Sequence, residues 1–217
     1  MKKVSKLQVL AWALAVVPVL LVAAVYARLP EKIPMSWDLG GEVRYDDKWQ
    51  LWIIASMPLL FAVLFPLMPL LDPKRRNYGR FRGSYDAFQV VMMLFMIVIV
   101  SVCVIEGLRP GTVNVPMVIC IFCSLLFVFL GNVMPKFRPN WYCGFKNPWT
   151  LSSETVWVRT HRVGGRMMFA AGLIGLAGAF IPNDYARFAL LFVPLIAACI
   201  VPTVLSYLWF RREQNEL

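Results

Sequence analysis

Charged residues are scarce in this chain. Asp, Glu, Lys and Arg make up 16% of its 217 residues, whereas soluble domains carry about 25%. Hydrophobic residues make up 59%, and they gather in long continuous runs. A soluble enzyme is therefore excluded, and an integral membrane protein is indicated.

Side chains suited to acid–base or metal chemistry are scarce as well. The chain has one histidine, His161, and a single His cannot build a zinc site. The Cys120-x-x-Cys123 pair has no second pair and no His near it in sequence, so it is interpreted as two small apolar helix residues. The centres of the apolar runs lack ionisable residues, which disfavours a coupled carrier with a charged midplane site. We therefore expect no enzyme activity, no catalytic residue, no metal and no cofactor.

Six apolar runs predict an all-α polytopic membrane protein with six transmembrane helices, forming a single domain over residues 1–217. Most of the runs reach the roughly 20 residues needed to cross about 30 Å of hydrocarbon. The fifth is shorter, so a helix that begins in the preceding polar segment would have to carry it across. The first exceeds the roughly 7–15 residues of a signal-peptide core, so an uncleaved helix is expected. The runs cover residues 7–27, 50–71, 87–108, 114–131, 167–181 and 186–210.

Basic residues indicate the orientation of these helices. The N-terminal segment, the link 72–86, the link 132–166 and the C-terminal tail are rich in Lys and Arg, whereas the link 28–49 has four bases against five acids. The positive-inside rule therefore places the N- and C-termini and both basic links in the cytoplasm. Because the net charge of +10 is spread over these links, no direct contact with nucleic acid is expected.

The first long link (residues 28–49) is predicted to be a structured extracellular segment. Pro30 and Pro34 fix backbone angles, and Gly40-Gly41 marks a turn. Trp37 can lie at the level of the lipid headgroups. The acidic residues of this link lack the spacing of a calcium loop, so a solvated surface is favoured over a metal site.

The second long link (residues 132–166) is predicted to be a basic, aromatic cytoplasmic segment that leads into the fifth helix. Its composition suits an interface with anionic headgroups. After Pro148, either Thr150 or Ser152 is expected to cap a helix that has Glu154 in its first turn. Glu154 and His161 share one face of that helix. They form either an acid–base or phosphate-handling site, or parts of a packed helix bonded to the link backbone, and the second interpretation is favoured.

The two halves of the chain show a weak internal similarity. Each can be described as helix, long link, helix, helix, and the links share Pro-x-x-x-Pro at Pro30–Pro34 and Pro135–Pro139. In a chain with 15 prolines this match is weak evidence. An inverted 3+3 repeat, with a substrate site between the halves, is therefore a hypothesis.

These two links resemble the SdpI family, six-span bacterial membrane proteins named for an immunity protein against a secreted killing peptide. The first link is similar to the family in Leu29-Pro-Glu-Lys-Ile-Pro34, Trp37 and Gly41. Ser36 stands where the family is expected to carry His, and Phe145-Lys146-Asn147 replaces a more usual Ile-Arg-Thr. In the second link the similar residues are Gly131-Asn132, Pro135-Lys136, Arg138-Pro139-Asn140, Gly144, Pro148-Trp149-Thr150-Leu151-Ser152, Glu154, Trp157, Thr160-His161-Arg162 and Gly164-Gly165.

The resemblance implies a multi-pass protein of the bacterial plasma membrane with two partners. It would protect the cell from a toxin peptide at the outer face and hold a cytoplasmic repressor at the membrane. The residues expected to bind at the outer link are Pro30, Pro34, Trp37, Asp38 and Gly41. Those expected to bind a ligand or partner at the inner link are Asn132, Lys136, Arg138, Asn140, Trp149, Thr150, Ser152, Glu154, Trp157, His161 and Arg162.

The alternative function is transport or flipping of a lipid or another amphiphile. Lys136, Arg138 and Arg162 would then hold an anionic headgroup. Contact with membrane lipids is expected under either function.

Overall fold

The computed structural model of this chain describes residues 4–39 and 42–216, so Gly40 and Gly41 lie outside the described residues. The molecule is 77% helical. Short 3₁₀ turns occupy Tyr26–Arg28, Arg75–Asn77 and Met134–Lys136. The other described elements are α1 (Lys6–Val25), β1 (Lys32–Trp37), β2 (Val43–Asp47), α2 (Gln50–Leu71), α3 (Tyr78–Leu108), α4 (Val115–Val133), α5 (Pro148–Ser152), α6 (Glu154–Gly178) and α7 (Asp184–Asn215).

Five helices in the described part of the chain, α1, α2, α3, α4 and α7, are long and apolar enough to cross a membrane. They expose large hydrophobic side chains, among them Leu20 at 62%, Val63 at 59% and Val193 at 65%. Such exposure is costly in water but suits contact with lipid. The prediction of a helical membrane protein is confirmed, whereas the number of spans stays a prediction.

The helix α6 begins well before the fifth apolar run. An earlier start was expected because the run is too short to cross a membrane by itself. The helix has 25 residues, which corresponds to about 37 Å at 1.5 Å per residue. The predicted caps Thr150 and Ser152 are wrong. Ser153 has extended backbone angles and its side chain accepts the N–H of Val156, so Ser153 is the N-cap of α6. Asn147 caps the separate helix α5.

The first long link contains an antiparallel hairpin, which the sequence analysis did not predict. Strand β1 pairs with β2, and the register shifts between Pro34 and Ser36, where proline cannot donate a hydrogen bond to the ladder. Asp38 closes the hairpin: its N–H donates to the Glu42 carbonyl at 3.1 Å, and its Oδ1 accepts the Glu42 N–H at 2.8 Å.

The described chain forms two compact units. The first comprises residues 1–66 and 86–122. Two polar pairs join α1 to α3 within it: Ser5 Oγ donates to Asp86 Oδ2 at 2.6 Å, and Gln8 Nε2 donates to Gln89 Oε1 at 2.9 Å. Its apolar core anchors the hairpin to the helices and comprises Val22, Leu29, Ile33, Leu51, Ala55, Val100, Cys103 and Val104.

The second unit comprises residues 67–85 and 123–217. Glycines let α4 and α6 approach closely, because a Cβ at Gly131 would overlap the backbone of Phe169. Arg187 of α7 is buried and fastens the turn after α6, donating through Nε to the Ala179 carbonyl at 2.9 Å and through Nη2 to the Ile181 carbonyl at 2.8 Å. This unit carries the second long link.

Candidate functional site

A buried polar network fastens the second long link to the short link that follows α2. Asp72 is 2% exposed and Asn140 is fully buried. Asp72 Oδ2 accepts the Tyr78 hydroxyl at 2.9 Å and the Trp141 N–H at 2.8 Å, while its Oδ1 accepts the Lys74 N–H at 2.7 Å. Three donors on one buried carboxylate offset the cost of removing it from water.

Asn140 holds the next turn of the link from inside. Its Nδ2 donates to the carbonyls of Arg138 at 2.9 Å and Cys143 at 3.1 Å. Its Oδ1 accepts the N–H groups of Tyr142 at 2.9 Å and Cys143 at 2.6 Å. Both faces of the amide are therefore used for local backbone, and Asn140 acts as a positioning residue for the link.

His161 occupies a closed clamp. It is fully buried, and its ring stacks on Trp157 with ring centroids 4.0 Å apart. Nδ1 bonds to the Trp157 carbonyl at 2.8 Å, and Nε2 accepts the Phe145 N–H at 3.0 Å. These partners place the proton on Nδ1, and burial lowers the pKa of His161 to about 4. A Cβ on Gly144, whose φ is +105°, would overlap Nε2.

This geometry favours a structural His161 over an acid–base residue. Both ring nitrogens already bond to backbone groups, so neither is available to a substrate. Glu154, which the sequence places on the same helical face, is exposed at the start of α6. Trp157 is fully buried, and its indole N–H donates to the Phe137 carbonyl at 2.9 Å.

A capping box organises the residues before α6. Thr150 and Asn147 bond reciprocally, with the Asn147 side chain accepting the Thr150 N–H at 2.9 Å and the Thr150 hydroxyl oxygen accepting the Asn147 N–H at 3.1 Å. Trp149 packs on Tyr207 of α7 with ring centroids 5.1 Å apart. The Ser152 hydroxyl donates to the Pro148 carbonyl at 2.7 Å.

A cavity of about 670 Å³ lies between the short link after α2 and the start of α6. Two cross-links hold its walls: Asn77 Nδ2 donates to the Pro139 carbonyl at 2.7 Å, and Lys74 Nζ donates to the Leu151 carbonyl at 3.2 Å. Three cationic side chains face one carboxylate among the lining residues, so the wall is net positive. The lining residues are Pro73, Lys74, Arg75, Arg76, Asn77, Pro139, Thr150, Leu151, Ser152 and Glu154.

The sixteen residues predicted to bind a ligand or partner fall into separate environments. In the first link, Pro34 is buried, Trp37 is half-buried against the apolar core, Pro30 and Asp38 are exposed, and Gly41 lies outside the described residues. In the second link the structure brings Thr150, Ser152 and Glu154 together around the cavity. Asn140, Trp157 and His161 are buried, Trp149 is half-buried, and Asn132, Lys136, Arg138 and Arg162 are exposed and do not line the cavity.

Sequence reasoning missed the other wall of the cavity. Lys74, Arg75 and Arg76 were interpreted only as markers of orientation, and Asp72 and Asn77 were not singled out. A signal was present, because Asp72 directly follows an apolar run and lies two residues before three consecutive bases. The role of Asp72 could not be assigned from sequence, since its partner Trp141 lies 69 residues further along the chain.

Comparisons with known proteins match two segments of the chain, one containing the first long link and one overlapping the second. Residues 136–206 match the SdpI/YfhL protein family, and residues 13–62 match a domain of unknown function, DUF1648. The chain is 22% identical to Immunity protein SdpI of Bacillus subtilis (strain 168) over 188 residues, which cover 86% of this chain and 87% of that protein. No solved structure matches it. The chain is therefore a membrane protein that, over residues 136–206, is similar to the SdpI/YfhL family.

Proposed function

We propose that this protein is an immunity protein of the bacterial plasma membrane, protecting the cell from a secreted antimicrobial peptide without catalysis. The observation that carries the proposal is the similarity to Immunity protein SdpI along almost the whole of both chains. The proposal includes six spans with both termini in the cytoplasm. The continuity of α6 supports the sixth span, because the helix runs without a break from the second link into the fifth apolar run.

The hairpin of the first link is the proposed contact with the peptide. Val43 and Tyr45 point to the same side of β2 because side chains alternate along a strand. They are 39% and 48% exposed. The apolar core holds the base of the hairpin, so the exposed side chains sit on a fixed support.

The second link is the proposed contact with a cytoplasmic repressor. Its exposed cations Lys136, Arg138 and Arg162 are separate from the buried groups that fix the link. A partner could therefore bind to them without disturbing Asn140 or His161.

Protection can be measured in a Bacillus subtilis strain that lacks its own SdpI and is exposed to the killing peptide. The paired variants are Val43→Ser with Tyr45→Ser in the first link, and Trp141→Ser with Tyr142→Ser in the second. All four side chains are exposed, so both double variants should fold, and equal membrane levels confirm it. We expect wild type and the second-link variant to protect and the first-link variant to fail.

Two results would contradict the proposal. Full protection by the first-link variant would show that the exposed side chains of the hairpin are not the contact with the peptide. No protection by the wild type would reject immunity and leave transport of a lipid or amphiphile, the alternative function, to be tested by redistribution of a labelled lipid in vesicles. Repressor retention is measured separately, by membrane recruitment of candidate repressors in the wild type and in a Lys136→Gln, Arg138→Gln variant.

A further inference from the structure

The cavity beside α6 has the features of a binding site for a phosphate group. Its volume of about 670 Å³ falls within the roughly 300–1,000 Å³ of known ligand sites. Arg75 and Arg76 line it, and within residues 4–39 and 42–216 neither guanidinium has an ion-pair partner. Guanidinium groups bind phosphate oxygens through two parallel hydrogen bonds.

The walls of this cavity are held in place before any ligand arrives. Lys74 and Asn77 each bond to a backbone carbonyl of the second link, and buried Asp72 holds the Lys74 N–H. Arg75 and Arg76 are exposed, so their side chains lose freedom when they bind an ion, which weakens binding. Here the backbone that carries the two arginines is already fixed by these bonds.

The position of the cavity identifies the source of the phosphate. Arg75 lies four residues after Leu71, the last residue of α2, which is apolar enough to cross a membrane. Leu70 and Leu71 are 69% and 71% exposed. An apolar helix end followed at once by cations matches the junction between acyl chains and headgroups.

We propose that Arg75 and Arg76, with Lys74, bind the phosphodiester of an anionic lipid headgroup in this cavity. Glu154 is the single carboxylate among the lining residues, so it opposes the ligand charge. The site is independent of the proposed immunity function, because a bound lipid can stabilise a membrane protein that transports nothing.

The test is a titration of the full chain in a neutral detergent with short-chain phosphatidylglycerol, phosphatidylcholine or free glycerol phosphate, with binding measured by microscale thermophoresis. Arg75→Gln with Arg76→Gln should weaken phosphatidylglycerol binding about tenfold or more, because two charge-assisted contacts are lost. Glu154→Gln should strengthen it about two- to fivefold, because a like charge is removed. Opposite effects of neighbouring substitutions cannot both come from misfolding.

The matched control is Arg80→Gln with Arg212→Gln. Both arginines are exposed, and neither lines the cavity, so the same loss of charge should change affinity by less than about twofold. An equal loss of affinity in the control variant would show that the lipid is attracted by net charge alone, and this would overturn the proposal. So would unchanged binding by the Arg75, Arg76 variant, or equal binding of phosphatidylcholine. Glycerol phosphate that binds as tightly as the lipid would assign the site to a soluble phosphate ester and overturn the lipid assignment. The killing assay is unaffected by these outcomes.

Discussion

The two long links are held in their folded conformations by different kinds of interaction. The first is built mainly from paired backbone: β1 and β2 bond to each other, and the side chains of Asp38 and Lys48 add bonds at the two ends of the hairpin. The second has no strand among its residues and is held by buried side chains, above all Asn140 and His161, whose partners are backbone groups. A link of the first kind tolerates changes at its exposed side chains, whereas a link of the second kind depends on single residues.

The comparison also bears on the inverted repeat. The shared Pro-x-x-x-Pro takes different local structures, since Pro34 lies in β1 whereas its counterpart Pro139 lies in neither a helix nor a strand. The likeness between the links therefore does not extend to their local folds. An inverted arrangement of the helices themselves stays a hypothesis.

The largest expected effect is that of Gly144→Ala in the second link. The substitution places a Cβ on the His161 ring and forces alanine into a positive φ, at a combined cost of about 4 kcal/mol. The control is Gly111→Ala, where φ is also positive, at +78°, but nothing lies within 4 Å of the added Cβ. It should cost about 1 kcal/mol.

Free energies of unfolding in mixed micelles, measured by titration with sodium dodecyl sulfate, provide the comparison. Equal losses in the two glycine variants would mean that the clamp around His161 contributes nothing beyond backbone strain. The comparison between links would then lose its main support.

Asn140→Ala against Asp38→Ala tests the same contrast with polar side chains. Removing the Asn140 amide breaks four hydrogen bonds to the backbone of Arg138, Tyr142 and Cys143, which should cost about 3 kcal/mol. Asp38 is exposed, and water can replace its bond to Glu42, so its loss should cost about 0.5 kcal/mol. The same titration measures both variants, and an Asp38→Ala loss as large as that of Asn140→Ala would contradict the contrast.

Sequence alone predicted the features that depend on composition. The apolar runs located the helices to within a few residues at most ends, and the short fifth run correctly required a helix that begins earlier, as α6 does. The resemblance to the SdpI family rested on motif residues that the structure shows to be mainly structural, among them Asn140, Thr150, Trp157 and His161.

The features that sequence reasoning missed depend on distant contacts or on competition between neighbouring residues. The cavity wall at Lys74–Asn77 is held in place by bonds of Asp72, Lys74 and Asn77 to the second link. The choice of Ser153 as the cap of α6 is local, but the sequence offers three hydroxyl residues within four positions, Thr150, Ser152 and Ser153, as equivalent caps. The hairpin was missed because the bulge at Pro34 interrupts the alternation that predicts a strand.

The smallest expected effect is the loss of stability in acid. It reports on the second link alone, because His161 in that link is the single histidine of the chain. Burial lowers its pKa from 6.5 to about 4 in the folded state. Below pH 6.5 the His161 side chain binds a proton in the unfolded chain but not in the folded chain. The free energy of unfolding therefore falls as the pH falls from 6.5 to 4. The loss should reach about 2 kcal/mol by pH 5.

Carboxylates titrate in the same window, so the measurement is a difference between wild type and His161→Gln, each unfolded at pH 7 and at pH 5. Glutamine can still accept the Phe145 N–H but cannot be protonated, so the variant should be less stable than wild type at pH 7 and should lose less stability on acidification. Identical pH dependence in the two proteins would show that His161 is protonated freely in the folded state. The clamp would then be open to solvent, and the closed geometry that excludes His161 from acid–base chemistry would no longer hold.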